Sequence, residues 1–176
     1  GNTTAAYDLT VDLAQGASHI ISIDDGASAA SAASTINAVL QNTGIRADAT
    51  TRVELFEFQN NGVVTFDLEA ANRLPIEISA DVTPTNLTNL ALAINKVAAD
   101  TGVSAVTSPD NQRIILVSAN GDDISISNLS NTSPLFSGRM VDDDGVALST
   151  PVGTVSVSGA FKDPLTTTNA VTDVLV

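Results

Sequence analysis

Cysteine and tryptophan are absent from this chain of 176 residues, and one Tyr and five Phe are its only aromatic residues. Without cysteine, the chain has no disulfide framework, no thiolate metal site and no cysteine nucleophile. Because hydrophobic residues still make up 43% of the sequence, the core must be built from Val, Ile, Leu and Ala. A chain of this length buries roughly 70% of its unfolded surface, so such a core suffices without covalent staples.

Basic residues are also scarce, because two Lys and five Arg stand singly along the sequence and the formal net charge is −13. No basic patch can neutralise phosphates, which excludes nucleic acid and anionic membranes as partners. No apolar run approaches the ~18 residues of a membrane span, and no basic segment followed by an apolar stretch opens the chain as in a signal peptide. The chain begins at Gly1 rather than Met, and we expect it to be a fragment or a processed product.

The residue arrangements that catalysis requires are missing as well. The single histidine, His19, falls in a predicted strand, and no Ser or Thr has an activating His and Asp arrangement. The acidic run at 142–145 departs from a calcium loop, since Met140 and Pro151 occupy positions that need acidic side chains. We therefore predict no enzyme, no cofactor and no catalytic, cofactor-binding or metal site.

An internal repeat is the main positive signal. A first copy of the pattern recurs in a second copy 58 positions later, with Ile-Asn followed by Thr-Gly and then an aliphatic residue. Glycine at the end of both patterns predicts a left-handed residue that terminates a helix. The residues that the repeat singles out are Ile36, Asn37 and Gly44 in the first copy, and Ile94, Asn95 and Gly102 in the second.

Apolar residues in both copies recur at i, i+3, i+4 and i+7, which predicts two amphipathic helices that bury the same face. Asp25 or Ser28 is expected to cap the first helix, and Thr83 the second, with Pro84 at the first helical position. The two stripes are Ala29, Ala32, Ala33, Ile36, Val39 and Leu40, and Leu87, Leu90, Ala91, Ile94, Val97 and Ala98.

Alternation of apolar and polar residues predicts short strands on both sides of each helix. The predicted fold class is therefore α+β, with two tandem β-β-α-β-β units, each a mainly antiparallel sheet with one helix packed on it, and a strand-containing return segment at the C-terminus. Asn120-Gly121 favours a tight hairpin turn into the strand that follows. The predicted boundaries are 1–60 for the first unit, 61–129 for the second, and 130–176 for the segment that packs back towards the first unit.

The second copy, with Ala-Ile-Asn at 93–95, Thr-Gly-Val-Ser-Ala at 101–105 and Arg-Ile-Ile-Leu-Val-Ser at 113–118, resembles the IN motif of outer regions in bacterial flagellins and flagellar hook-associated proteins. The first copy keeps Ile-Asn and Thr-Gly but departs from the motif at 52–56, and 130–176 carries no such motif. The resemblance implies a secreted structural protein of the bacterial flagellum, in which terminal helices polymerise while the middle of the chain projects outward.

On this resemblance, we expect a surface-exposed outer domain of a filament protein, extracellular and contributing to motility. Its partners would be other flagellar subunits, bound through regions absent from this chain, so the isolated chain is expected to be monomeric. Ser- and Thr-rich loops are possible sites for O-linked glycans. One alternative is the outer domain of a hook-associated or filament-cap protein. Another is an adhesive or glycan-binding module, although so few aromatic residues offer little platform for sugars.

The two repeated asparagines allow two interpretations. They could contact a ligand, or they could bond a neighbouring loop or strand and so determine how each helix docks. The second interpretation is favoured, because Asn37 and Asn95 stand beside an apolar stripe rather than in a cluster of polar groups. We therefore expect Ile36, Asn37, Gly44 and their counterparts to form a structural motif.

Overall fold

The protein is described by a computed structural model that covers residues 5–13, 16–71, 74–130, 134, 136–141, 155–157 and 174–175. Helices combine with mainly antiparallel strands, which confirms the predicted α+β class. The helices are α1 (Ala29–Leu40), α2 (Thr88–Lys96) and α3 (Ala98–Thr101). The strands are β1 (Tyr7–Asp12), β2 (Ser18–Ile23), β3 (Arg46–Ala47), β4 (Thr51–Phe56), β5 (Gly62–Glu69), β6 (Ile76–Val82), β7 (Val103–Thr107), β8 (Ile114–Ser118), β9 (Ile124–Ser127), β10 (Ser137–Met140), β11 (Val155–Val157) and β12 (Val174–Leu175).

The N-terminal elements enclose a small core of their own. β1 and β2 form an antiparallel hairpin, and α1 packs on β2 and β3. β12, close to the C-terminus, pairs antiparallel with β3. Alanine side chains of α1 allow the helix to approach the hairpin closely. This N-terminal core consists of Val11, Ile21, Ile23, Ala29, Ala32, Ala33, Ile36, Leu40, Ala47 and Ala49.

A larger core lies between two four-stranded sheets. One sheet has the strand order β10-β4-β8-β7, and the other has the order β11-β9-β5-β6. α2 packs against β6 and β7, which are end strands of different sheets, so the helix covers the side on which both sheets end. This main core is aliphatic apart from a few phenylalanines, and its largest fully buried side chains include Phe66, Leu68, Leu87, Leu90, Ile94, Ile114 and Phe136.

β4 is shared between the two halves of the repeat. It follows the first copy's helix in sequence, yet it pairs antiparallel with β8 of the second copy and with β10. Val53 and Leu55 of β4 are therefore buried in the main core. Along the sequence, the chain passes from the N-terminal core to the main core between Ala49 and Val53. The division of the chain into units at residue 60 stays a prediction.

The hairpin predicted at Asn120-Gly121 is wrong. β8 pairs with β4 and β7, whereas β9 pairs with β5 and β11, so the chain changes sheets between Ser118 and Ile124. Gly121 is left-handed, with φ of +76°, as the turn requires. Its carbonyl accepts a hydrogen bond of 2.9 Å from the Ala30 N–H at the start of α1. The turn thus packs on the N-terminal core instead of closing a hairpin.

The two helices begin differently. Ser28 caps α1, because its hydroxyl accepts a hydrogen bond of 3.0 Å from the Ser31 N–H. The cap predicted at Thr83 is wrong, since α2 begins at Thr88. Thr83 and Asn86 exchange two backbone hydrogen bonds of 3.2 and 3.1 Å, which close a tight turn. The Asn86 side chain then accepts from the Thr88 N–H at 3.0 Å.

Every residue of the first predicted stripe except Val39 is buried, whereas the last two residues of the second stripe, Val97 and Ala98, are half-buried. Ile36 and Ile94 are each at most 1% exposed at the centres of their helices. Val39 is 41% exposed, although it was predicted to lie on the buried face. The buried face of α1 is thus narrower than the one predicted from the sequence.

Candidate functional site

The repeated asparagines join each helix to the strand that follows it. In the first copy, the Asn37 side-chain amide donates to the Ala47 carbonyl at 2.7 Å, and its oxygen accepts from the Ala47 N–H at 2.8 Å. In the second copy, Asn95 makes the same two bonds with Ala105, both at 2.8 Å. We name this paired contact the asparagine brace.

The turn between helix and strand is also repeated. The Thr43 hydroxyl donates to the Leu40 carbonyl at 2.7 Å and accepts from the Ile45 N–H at 3.2 Å. The Thr101 hydroxyl likewise donates to the Val97 carbonyl at 3.1 Å and accepts from the Val103 N–H at 3.2 Å. Each threonine therefore closes the turn at the end of the helix and accepts from the N–H two residues later, which lies just before β3 in the first copy and at the start of β7 in the second.

A left-handed glycine follows each of these threonines. Gly44 has φ of +81° and Gly102 has φ of +72°, a region that residues with a Cβ rarely adopt. Gly102 ends α3, and its N–H donates to the Ala98 carbonyl at 2.9 Å. Gly44 instead ends a turn at 41–44, because α1 stops at Leu40. The chain reverses at both glycines and brings the strand back beside the helix.

The structure thus brings the sequence-predicted residues together within each copy. Ile36 and Ile94 anchor their helices in the N-terminal core and the main core, and the asparagine that follows each bonds the returning strand. The partners of the brace were not singled out from the sequence. The repeat nevertheless contained the signal, since Thr and Ala recur at the same 58-residue offset: Thr43 and Thr101, and Ala47 and Ala105.

A buried carboxylate outside the repeat was also missed. Glu54 on β4 is 2% exposed and accepts hydrogen bonds from Arg139 Nε at 2.6 Å and Arg113 Nη1 at 3.3 Å. The Arg139 guanidinium also lies 4.7 Å from the centre of the Phe56 ring. This cluster ties β10 and the end of the β7–β8 loop to β4. The alternation of apolar and polar residues in the sequence did not indicate which basic residues Glu54 would contact.

A cleft of about 550 Å³ lies where the turn at 119–121 meets the N-terminal core. Small side chains line it, among them Ala30, Ala33 and Ala49, and Asp48 is the ionisable group among the described residues of its lining. Gly121, the residue after Asn120 of the lining, packs tightly on the N-terminal core, since a Cβ built there would lie 2.5 Å from the Ala49 Cβ. The cleft therefore marks the junction between the two cores and presents no constellation of reactive groups.

Titratable residues form no catalytic or metal constellation in the described ranges. Within them, no three His, Asp or Glu side chains are placed to hold a metal ion. His19 lies on β2 opposite Val11, as the predicted strand required. The acidic run at 142–145 lies outside the described residues. Asp110 lies in the β7–β8 loop, where hydrogen bonds from the Ser108 hydroxyl and the Gln112 N–H lower the pKa of its carboxyl.

The described helices include none that is long and apolar enough to cross a membrane. Within the part of the chain that the structure describes, most acidic residues are exposed and lie on several different elements, for example Asp8 on β1, Asp81 on β6 and Asp100 on α3. The described residues therefore have two notable features: a helix–strand motif that occurs twice, and an acidic surface.

Residues 56–120 match the family model described as the flagellin hook IN motif. The matched segment runs from the end of β4 through β8 and contains the complete second copy of the motif. The resemblance to the IN motif that was predicted from the sequence is thereby confirmed for these residues, and it supports a flagellar structural protein.

Among solved structures, the flagellar cap protein FliD from Helicobacter pylori is similar, with 11% sequence identity and a TM-score of 0.32. The alignment covers 70% of this chain and 48% of that chain, so the present chain spans about half the length of the cap protein. No curated protein sequence matches the chain.

Proposed function

We propose that this chain, whose residues 56–120 carry a flagellin hook IN motif, is the surface-exposed outer domain of a flagellar filament protein. Its role is structural, and it contributes to the filament surface and to motility without polymerising by itself. The observation that carries the proposal is the motif match, because the matched segment folds into the pair β5–β6, the helices α2 and α3, and the pair β7–β8, and is held by the asparagine brace.

Charge supports an outward position for the domain. The formal net charge is −13, and the described acidic residues are mostly exposed. In a filament, identical outer domains stand close together, and like charge opposes adhesion between neighbours. An acidic surface is therefore suited to the outside of the assembly, in contact with the medium.

Immunoelectron microscopy with an antiserum raised against the isolated chain tests the proposal. We expect gold particles along the whole length of filaments on intact cells, because an outer domain repeats with every subunit. Antiserum that has been absorbed with the isolated chain is the control and should leave the filaments unlabelled. Unlabelled filaments in cells that make the protein would refute an exposed position.

The same experiment separates the proposal from its nearest alternative. An outer domain of a hook-associated protein would label only the junction between hook and filament, and that of a cap protein only the filament tip. Both share the IN motif, so the motif match itself favours neither over a filament subunit. Because the three proteins differ in copy number and position, the distribution of gold decides among them.

The proposal also includes the state of the isolated chain. We expect a monomer at micromolar concentration and low salt, because copies with a charge of −13 repel one another. Contacts with other flagellar subunits would be made by segments outside the motif. O-linked glycans on Ser- and Thr-rich loops are part of the proposal, and intact-mass measurement of protein from the native source would detect them.

An adhesive or glycan-binding role is the remaining alternative. A glycan array would test it, and binding well above background would favour it over a purely structural role. The described cleft beside Ala49 argues against this role, because alanine and polar side chains line it and no aromatic ring stands among the described residues of its lining. We expect no glycan to bind the isolated chain.

A further inference from the structure

Two side chains of the second copy occupy the outer edge of β7. β7 is the end strand of its sheet, with β8 on its other side. In an antiparallel pair, the N–H and C=O of one residue point to the same side. Both groups of Ala105 bond Asn95, so they point away from β8. The Val103 N–H, two residues earlier and on the same side, donates to Thr101.

Asn95 and Thr101 therefore stand where the backbone of a further strand would stand. The Asn95 amide presents one donor and one acceptor to Ala105, which is the pair that a neighbouring strand would present. The asparagine brace of the second copy is, in hydrogen-bonding terms, a one-residue substitute for a strand.

Although α2 packs beside it, β7 itself carries no side chain that discourages edge-to-edge pairing. Its sequence, Val-Ser-Ala-Val-Thr, contains neither a charged residue nor proline, and Val106 is 60% exposed. Uncharged strands with exposed Val at a sheet edge pair readily with another chain. In the first copy, β3 is only two residues long, and its Arg46 forms an exposed ion pair with Asp48, the residue after the strand.

We propose that Asn95, supported by Thr101, blocks the edge of β7 against strand pairing with a second copy of this chain. A second copy is the relevant partner, because each subunit offers the same uncharged strand and identical segments pair in register. The block matters wherever copies are held at high local concentration. It goes beyond the proposed function and does not depend on where in a flagellum the chain is placed.

The central test is Asn95→Ala, studied by sedimentation velocity over a range of protein concentrations. Salt of about 1 M shortens the screening length to about 3 Å and so removes the repulsion between acidic copies. We expect wild-type protein to stay monomeric and the variant to self-associate at least about tenfold more strongly. Asn95 is exposed and alanine favours helices, so the variant should fold.

Matched variants separate edge blocking from general loss of stability. Asn37→Ala removes the same two bonds in the first copy, where the strand is short and charged, and should remain monomeric. Ile94→Ala weakens the main core but leaves the brace in place, and should also remain monomeric. Asn95→Asp keeps an acceptor for the Ala105 N–H and adds a charge to the edge, so it too should remain monomeric.

A second substitution should reverse the effect. Val106→Lys, made in the Asn95→Ala background, places a charge on the exposed side of β7 and should restore the monomer. If Asn95→Ala fails to fold cooperatively, Asn95→Ser replaces it in the same experiment, since the serine side chain is too short to reach Ala105. A folded, monomeric Asn95→Ala or Asn95→Ser variant in 1 M salt would overturn the proposal. Equal association of Ile94→Ala or Asn37→Ala would do the same.

These outcomes are distinguishable from failure of the proposed function. The edge test uses the purified chain alone and measures its association. The position of the domain on filaments is measured by labelling of whole cells, and neither result constrains the other.

Discussion

At the scale of single residues, Glu54 is the buried charge on which β10 and the β7–β8 loop depend. Its side chain is 3% exposed, whereas those of Arg113 and Arg139 are 44% and 41% exposed. The carboxylate is thus shielded from water, whereas both guanidinium groups are partly exposed to it. Loss of the carboxylate leaves two guanidinium groups that water can still solvate, while loss of both arginines leaves a carboxylate buried without a partner.

We expect this asymmetry in measured stabilities. Glu54→Gln should lower the free energy of unfolding by about 1–2 kcal/mol, which corresponds to weakened hydrogen bonds. The double variant Arg113→Ala, Arg139→Ala should lower it by about 3–5 kcal/mol, as for a buried charge without its partner. Urea titration of both proteins checks the order. A larger loss for Glu54→Gln would show that the arginines, and not the carboxylate, bear the cost of burial.

The two repeated glycines have similar backbones but different surroundings. A Cβ at Gly44 would meet nothing within 4 Å, whereas one at Gly102 would lie 3.2 Å from the Ala71 Cβ. Gly44→Ala should therefore cost about 1 kcal/mol from backbone strain alone. Gly102→Ala should cost more, roughly 1–3 kcal/mol, because Ala71 must also shift.

Urea titration measures both costs, and Ala71→Gly provides the control. Combined with Gly102→Ala, it removes the contact and should bring the cost down to that of Gly44→Ala. The effects of the two glycine substitutions should add to within about 0.5 kcal/mol, since the residues serve different cores. Strong coupling between them would contradict the separation of the two cores.

At the scale of secondary-structure elements, α2 joins the ends of two sheets. Leu90 and Ile94 are fully buried in the main core, whereas Leu92 on the same helix is 62% exposed. The helix therefore has one face that holds β6 and β7 together and another that faces the medium. α1 performs the corresponding task for the small N-terminal core, with Ala29 and Ala32 at the positions that Leu87 and Leu90 hold in the second stripe.

Truncation on the two faces of α2 should give different results. Ile94→Ala should cost about 2–5 kcal/mol, because it leaves a cavity in a packed core. Leu92→Ala removes a similar number of atoms from the surface and should change stability by no more than about 0.5 kcal/mol. Thermal or urea unfolding distinguishes these outcomes. Similar losses for both would mean that Leu92 is covered in solution.

At the scale of the whole molecule, the two cores meet at Gly121. This residue combines φ of +76° with close neighbours on the N-terminal core: a Cβ there would lie 2.5 Å from the Ala49 Cβ and 3.0 Å from the Ala30 nitrogen. Its carbonyl also accepts the first hydrogen bond of α1 from outside the helix. Any side chain at this position must push the cores apart.

Gly121→Ala should therefore cost roughly 1–3 kcal/mol from overpacking, in addition to about 1 kcal/mol from the left-handed backbone. Amide hydrogen exchange should accelerate at Ala30, which loses its acceptor. Gly16→Ala is the matched control, since Gly16 is also left-handed, with φ of +85°, but has no neighbour within 4 Å of its Cβ position. Equal effects of the two substitutions would argue against a tight junction.

Local pattern in the sequence determined the individual elements well. β2 (Ser18–Ile23) precedes the first helix and β7 (Val103–Thr107) follows the second, as predicted, because alternation of apolar and polar residues reflects burial of one face of a strand. The repeat, its glycines and the buried isoleucines were visible for the same reason: each depends on residues close together in the chain. The asparagines were recognisable as polar residues of the motif, although their partners were not.

Only the tertiary structure decided which strands are neighbours. The alternation of Val53 and Leu55 indicates that β4 buries one face. This pattern is equally compatible with β4 pairing beside β3 or beside β8. The structure places β4 beside β8 and β9 in the other sheet, because the burial of whole faces against distant segments outweighs the local preference for a hairpin at Asn120-Gly121.

Glu54 acquires its two arginine partners, and Asn95 its place at a sheet edge, only through these long-range pairings. Periodicity along a chain specifies which side chains turn inward, whereas the partner they meet depends on contacts between segments far apart in sequence.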